Sequence, residues 1–152
     1  MAIEAPLSKY KKNNFKIGII VLVGLAIWFA YDGYFNEKFR EKHTDKNGMP
    51  DSTMVFNRKA PPFFVGAAVL LGVYLFIVKD KKLIAGENSL VVGKHEIAYD
   101  SIVKIDKTHF DSKGHFVITY KDYKGVDANL KLSDKTYDNL SAVLGVLISK
   151  IS

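Results

Sequence analysis

The sequence contains no cysteine, which excludes disulfide bonds and thiolate metal sites. It also lacks a glycine-rich run of the kind that cradles a phosphate group. Three of its four histidines, at positions 95, 109 and 115, are spread over predicted strands and turns, and no carboxylate or serine stands at a recognisable catalytic spacing from them. We therefore expect no catalytic residue, no cofactor, no metal ligand and no small-molecule substrate, and an enzyme is the least favoured class of protein.

A concentrated basic surface is also missing. The net charge is +6, but residues 83–152 contain nine basic and nine acidic residues. The excess positive charge lies beside two apolar segments, with four lysines in residues 1–16 and three in residues 79–82. Because nucleic-acid binding needs a basic face that displaces phosphate counterions, we expect no nucleic-acid partner.

The first apolar segment runs from Ile17 to Tyr31 and has 15 residues without a charge. As a helix it spans about 22 Å, whereas a bilayer core is ~30 Å thick. A lysine at one end can snorkel and aromatic residues at the other end form an interfacial belt. We therefore predict a transmembrane helix over residues 15–35. Its predicted interfacial anchors are Lys16, Trp28, Tyr31 and Tyr34.

The same segment can also be interpreted as a secretory signal peptide, because a basic region precedes an apolar run. The small-x-small cleavage pattern is missing, however, since the bulky Trp28 stands two positions before Ala30. We therefore expect the segment to be retained as a membrane anchor.

The second apolar segment covers residues 61–78 and spans about 27 Å as a helix. Pro61 and Pro62 suit the first positions of a helix, where a missing N–H costs nothing. This predicts a second transmembrane helix over residues 61–78. The lysines that follow it are further predicted interfacial anchors. They are Lys79, Lys81 and Lys82.

Small residues form a stripe on the second segment, and an alanine and a glycine stand at the spacing that allows two helix backbones to approach closely. This stripe predicts helix packing, either against the first segment or against a helix of another protein. Neither apolar segment contains a central ionisable residue, which argues against a transporter, channel or pump. The predicted packing residues are Gly66, Ala68 and Gly72.

Two polar segments accompany the apolar ones. Residues 1–14 form a basic arm, which we expect to be disordered or to lie on lipid headgroups. Residues 36–60 form an extramembrane connector. Its run from Asp45 to Asp51 is faintly similar to a calcium loop but lacks the EF-hand spacing and the final glutamate, so a solvated turn is favoured.

Lysines are denser at the outer flanks of the two apolar segments than in the connector. Two crossings place both chain ends on one side of a membrane. Under the positive-inside rule, we predict an integral membrane protein with both termini in the cytoplasm.

Residues 83–152 change from a helical to an alternating apolar pattern, which predicts about six short antiparallel strands joined by tight turns. The predicted strands are 83–86, 89–92, 95–99, 101–105, 115–120 and 127–132. An apolar stripe from Tyr137 to Ile151, at spacings of three and four, predicts a terminal helix capped by Ser133-Asp134. The predicted fold class is two transmembrane helices followed by a small α+β domain.

The sequence from Leu90 to Ile102 reads as a strand, a Gly-Lys turn, a second strand and a Tyr-Asp-Ser-Ile corner. With membrane helices before it and a helix after it, the stretch 83–150 resembles the bacterial pleckstrin-homology-like domains of small membrane-anchored proteins. The resemblance implies a partly open antiparallel barrel of up to seven strands, capped by the C-terminal helix. It also implies a location in the bacterial inner membrane and a use in protein contacts or membrane-surface packing.

Two functions from different classes fit these features. The first is a non-catalytic accessory subunit, which docks by its helices on the integral membrane protein subunits of a larger complex and packs its domain on the extramembrane face. The alternative is a membrane-anchored regulatory module that binds membrane lipid or a small ligand.

Overall fold

The computed structural model describes all residues 1–152, and the chain divides into two compact units. The first, which we call the helical hairpin, is Asn13–Ile77. The second, which we call the split domain, combines Met1–Lys12 with Val78–Ser152. The domain thus differs from the predicted range 83–152 because it includes the N-terminal residues.

Three helices account for the two predicted transmembrane segments and for part of the extramembrane connector between them. They are α1 (Lys9–Tyr34), α2 (Glu37–Lys42) and α3 (Ser52–Val78). The most apolar windows of α1 and α3 have mean hydropathies of 1.8 and 2.2, and the chain buries only 6% and 11% of them. Both helices are therefore long and apolar enough to cross a membrane, as predicted.

Both long helices begin earlier than the predicted residues 15 and 61, each after a capping side chain. The Ser8 hydroxyl oxygen accepts the Lys11 N–H at 3.1 Å, just before α1. The Asp51 carboxylate accepts the Met54 N–H at 2.9 Å, just before α3. Such caps satisfy N–H groups that the first turn of a helix leaves without a partner, so each helix starts within polar sequence.

The two prolines were predicted to stand at the start of a helix, but they lie inside α3. A proline inside a helix removes the N–H that would bond to the carbonyl four residues earlier. For Pro62 this carbonyl belongs to Arg58, and it accepts the Tyr34 hydroxyl at 3.2 Å instead. A contact between α1 and α3 therefore satisfies the carbonyl that the proline leaves free.

Seven strands form two antiparallel sheets in the split domain, with the orders β1-β2-β3-β4 and β5-β6-β7. The last six strands lie within one residue of their predicted bounds, because apolar alternation and turn glycines are local signals. The strands are β1 (Ile3–Pro6), β2 (Lys82–Ala85), β3 (Ser89–Val92), β4 (His95–Ala98), β5 (Ile102–Asp106), β6 (His115–Lys121) and β7 (Asp127–Ser133).

β1 comes from the N-terminal arm, so the arm is not disordered, which was one of its two predicted states. It pairs antiparallel with β2, and Ala5 stands opposite Leu83. The Leu7 N–H continues the contact by donating to the Lys81 carbonyl at 3.0 Å. In sequence, the helical hairpin is therefore inserted between the first two strands of one sheet.

The C-terminal helix covers both sheets. A short helix, α4 (Phe110–Lys113), precedes β6, and the final helix, α5, is Leu140–Ile151. The cap of this helix was predicted at Ser133-Asp134. Instead, α5 begins after Asn139, which has a left-handed φ of 61°. The buried core draws on β1, on both sheets and on α5. It comprises Ala5, Leu83, Ala85, Leu90, Ile97, Tyr99, Ile102, Phe116, Ile118, Leu132, Leu140, Val143, Leu144 and Leu147.

The two sheets remain separate, since no ladder joins β4 to β5. The barrel that the resemblance implies is therefore not confirmed. Two apolar helices, antiparallel sheets and a C-terminal helix are confirmed, and the split domain is an α+β domain with open sheets.

Candidate functional site

The two long helices contact each other along aromatic and small side chains. Phe29 of α1 stacks on Phe64 of α3 with ring centroids 5.5 Å apart, and Phe56 meets the same Phe29 ring edge-on at 5.5 Å. Phe15 and Tyr74 form a further pair at 5.3 Å. Because ring pairs at such distances are favourable beyond their buried area, they hold α1 and α3 together at separate points.

The three predicted packing residues have different surroundings. Ala68 is buried, with 6% of its surface exposed, and a Cβ on Gly72 would lie 4.0 Å from Cδ1 of Ile19. Residues four apart share a helix face, so these two face the chain's own first helix. Gly66 is exposed, and nothing lies within 4 Å of the position that its Cβ would take. Of the three, Gly66 is the one that has no contact with the rest of the chain at its Cβ position.

Arg58 joins the end of α1 to α3. Its Nε donates to the Gly33 carbonyl at 2.9 Å, and this carbonyl belongs to the last turn of α1, whose carbonyls lack intrahelical donors. The guanidinium carbon lies 5.7 Å from the centroid of the Tyr34 ring. A Cβ on Gly33 would come within 3.1 Å of Arg58 Cγ, so this approach favours glycine at position 33.

A cavity of about 520 Å³, which we call the polar pocket, is formed by α2, the loop after it and Arg58. Its volume falls in the range of about 300–1,000 Å³ that is typical of ligand sites. The polar pocket was not predicted, because its lining residues, all between 37 and 58, come together only when α2 and the loop after it fold beside α3. Its lining includes Glu37, Arg40, Glu41, Thr44, Asp45 and Arg58.

The loop between α2 and α3 uses its acidic groups to bind its own backbone. One oxygen of Asp45 accepts the N–H groups of Asn47 at 2.9 Å and Met49 at 2.7 Å. Asp51 caps α3 with one oxygen, and its other oxygen lies 2.8 Å from Nδ1 of His43. The residues of the faint calcium-loop pattern thus form a hydrogen-bonded turn.

Acidification is expected to loosen the first turn of α3. The hydrogen bond from the Met54 N–H, and then the His43 ring, hold the pKa of the Asp51 carboxyl below its ordinary value. Because the folded-state pKa is lowered, this stabilisation is present above the unfolded-state value, near 4, and is lost as the pH falls through the folded-state value. Amide-exchange protection of Met54, corrected for intrinsic rates, should therefore fall on acidification.

The matched control is Asp51→Asn, since asparagine caps helices about as well as aspartate but does not titrate in this range. In that variant the protection of Met54 should not vary with pH. An equal loss of protection in both proteins would contradict the role assigned to the Asp51 carboxylate.

The predicted interfacial anchors are distributed over both units. The Trp28 indole N–H donates to the Asp32 carboxylate at 3.0 Å. Lys82 lies on β2, and its Nζ donates to the Glu4 carboxylate of β1 at 2.6 Å, so this lysine forms an ion pair within the split domain. Tyr34 contacts Arg58, as described above. The other four predicted anchors are exposed to solvent or lipid. They are Lys16, Tyr31, Lys79 and Lys81.

The structure brings together two of the three histidines that were considered as catalytic candidates. The ring centroids of His109 and His115 lie 5.5 Å apart, while His95 opens β4. No group of three or more histidine, aspartate or glutamate side chains is arranged to hold a metal ion. The two rings therefore contact each other beside α4, at the start of β6.

Besides the polar pocket, sequence reasoning missed two features of the structure. One is β1. A signal was present, because Ser8 just after this strand is a recognisable helix-capping residue, which indicates ordered sequence. The other is Arg58, whose only local signal is its position just before the second apolar run.

No protein-family model, curated protein or solved structure matches this chain.

Proposed function

We propose that the chain is a non-catalytic accessory subunit of a larger integral membrane complex, anchored by α1 and α3 and docked on a partner's helix through α3. The observation that carries the proposal is the exposed Gly66. Phe63 and Leu70, three and four residues away on the same helix face, are 78% and 72% exposed. In lipid, helices associate through close backbone contacts at small residues, and a glycine between two large apolar side chains accommodates such a contact.

The pairing of β1 with β2 fits two membrane crossings and not one. β1 precedes α1 in the chain and β2 follows α3, so these two strands can meet only if the chain between them crosses a membrane an even number of times. Two spanning helices satisfy this condition, whereas one spanning helix would separate the paired strands.

The distribution of lysines supports an orientation with both termini in the cytoplasm of a bacterium and the protein in its inner membrane. Four lysines lie in residues 1–16 and three in residues 79–82, whereas the 29 residues 32–60 have six basic and five acidic residues. Positive charge is retained on the cytoplasmic side during insertion.

In this proposal the split domain packs on the extramembrane face of the same complex. Tyr123 and Val126, at the turn between β6 and β7, are 92% and 60% exposed, and apolar side chains of this kind are commonly covered at protein interfaces. Sheets of four and three strands followed by a helix also support the resemblance to pleckstrin-homology-like domains.

Gly66→Leu is expected to release the protein from its complex, with recovery of partner proteins reduced at least tenfold. A leucine at this position would hold the two helices apart and remove the close contacts that drive association in lipid. The measurement is affinity purification of the tagged full chain in mild detergent, followed by mass spectrometry of the proteins that remain bound.

Gly24→Leu is the matched control, because Gly24 lies on α1, is exposed and has nothing within 4 Å of its Cβ position. It should retain the partners. If Gly66→Leu kept every partner, the docking face would be wrong. The double variant Lys94→Gln with Lys113→Gln tests the alternative function. If it no longer bound anionic liposomes while both glycine variants kept their partners, a lipid-binding regulatory module would be the better assignment.

A further inference from the structure

The polar pocket contains charges that the chain itself does not neutralise. Four lining residues, Glu37, Arg40, Glu41 and Arg58, are absent from all four salt bridges of the chain. The fifth charged residue, Asp45, uses its carboxylate to accept two backbone N–H groups of the loop. Two guanidinium groups and three carboxylates therefore line one cavity, and none of them forms a salt bridge. The Asp45 carboxylate is also bound to the loop backbone, so Glu37 and Glu41 are the carboxylates left for a ligand.

This balance of charge selects the kind of ligand. An anion alone would be repelled by the two glutamates, and a cation alone would be repelled by the two arginines. In each case this repulsion would offset part of the electrostatic attraction to the oppositely charged pair. A group that carries both signs can face the arginines with its negative end and the glutamates with its positive end. We propose that the polar pocket binds a zwitterionic phosphate–ammonium group, the chemistry of a phosphatidylethanolamine headgroup and of free phosphoethanolamine.

Arg58 is prepared for the phosphate end. Its Nε is held by the Gly33 carbonyl at 2.9 Å, and its guanidinium lies beside the Tyr34 ring. These contacts fix the plane of the guanidinium and leave its two terminal nitrogens without a protein partner. The planar fork of arginine matches phosphate oxygens in a bidentate manner, and Arg40 supplies a second fork at the same cavity.

The ammonium end is assigned to α2. Glu37 and Glu41 stand four residues apart on this helix, so their side chains project from the same face. A primary ammonium donates hydrogen bonds to carboxylates, whereas the quaternary ammonium of choline has no N–H to donate. The pocket should therefore prefer ethanolamine over choline headgroups.

The lipid form of the ligand rests on the membrane location proposed above, and not on the partner complex. Arg58 stands three residues before Pro61, where the second apolar segment begins, and Tyr34 ends α1. If both helices span a bilayer, these residues lie at its interface, where headgroups are found.

The test is native mass spectrometry of the full chain in detergent, with phosphatidylethanolamine, phosphatidylcholine and phosphatidylglycerol of identical acyl chains. Wild type should retain phosphatidylethanolamine at least tenfold better than the other two lipids. Arg40→Gln and Arg58→Gln should each weaken its retention at least tenfold, and Glu37→Gln with Glu41→Gln should abolish the preference over phosphatidylcholine. Lys59→Gln, which removes the same charge next to Arg58 but outside the pocket lining, should change nothing.

Arg58→Gln also removes the bond to Gly33 and can disturb the helical hairpin, so Arg40→Gln, whose side chain makes no contact of this kind, decides the result. Competition by soluble phosphoethanolamine would assign the site to the free zwitterion, and no competition would assign it to the lipid. Equal retention of the three lipids would contradict the proposed ligand. An equal loss of lipid retention in Arg40→Gln and Lys59→Gln would contradict the assignment of the binding site to the polar pocket. A chain that needs no detergent to stay in solution would instead overturn the membrane location.

Discussion

Replacing Ala5 by aspartate is expected to detach β1 and destabilise the split domain by about 3–5 kcal/mol, the usual cost of an uncompensated buried charge. Ala5 is fully buried in the core and stands opposite Leu83, so an aspartate there would lie among apolar side chains with no partner. Small domains are stabilised by only about 5–15 kcal/mol in total, so a loss of this size is a large fraction. Hydrogen exchange of the full chain in detergent should show strongly accelerated exchange in β2 and β3.

The matched control is Ala2→Asp, the same substitution at an exposed position three residues earlier. It should leave exchange in β2 and β3 unchanged. If both variants behaved alike, the N-terminal strand would not belong to the domain, and residues 83–152 would have to fold without it. A fragment that begins at residue 83 lacks β1 and exposes the edge of β2, so we expect it to be less stable than the full chain.

Leu132→Asp is expected to unfold both sheets of the split domain, with a destabilisation of about 3–5 kcal/mol. Leu132 is 1% exposed and pairs across β6 and β7 with the fully buried Phe116. A carboxylate at this position would be desolvated without a hydrogen-bond donor, which is costly in an apolar core. Because the helical hairpin is a separate compact unit, its helical circular-dichroism signal should persist while protection of β6 and β7 is lost.

Lys131→Asp provides the comparison, since Lys131 is the neighbouring residue on β7 and is exposed. Side chains alternate between the two faces of a strand, so this variant places the same carboxylate in solvent. Equal stability of the two variants would show that β7 does not have the register Phe116 to Leu132.

Local patterns predicted much of the fold. β2 to β7 were found within one residue because period-two alternation and isolated turn glycines act over a few residues. The stripe Leu140, Val143, Leu144 and Leu147 predicted the buried face of α5 for the same reason, since residues three and four apart share a helix face. Helix starts were predicted less well, because Pro61-Pro62 is a start signal that the capping side chain of Asp51 overrode.

Two long apolar helices, the order of six strands and the terminal helix follow from the amino-acid sequence alone, because each depends on residues that are close in the chain. The seventh strand, Ile3–Pro6, could be found only from the folded chain, since its partner Lys82–Ala85 lies more than seventy residues away and a four-residue strand has no stability until it pairs. The folded chain also shows that Ala68 and Gly72 face α1 while Gly66 faces outward, and that Arg58 meets Gly33 and Tyr34 beside α2. Those placements depend on how α1, α2 and α3 pack, and packing between distant segments leaves no periodic trace in the amino-acid sequence.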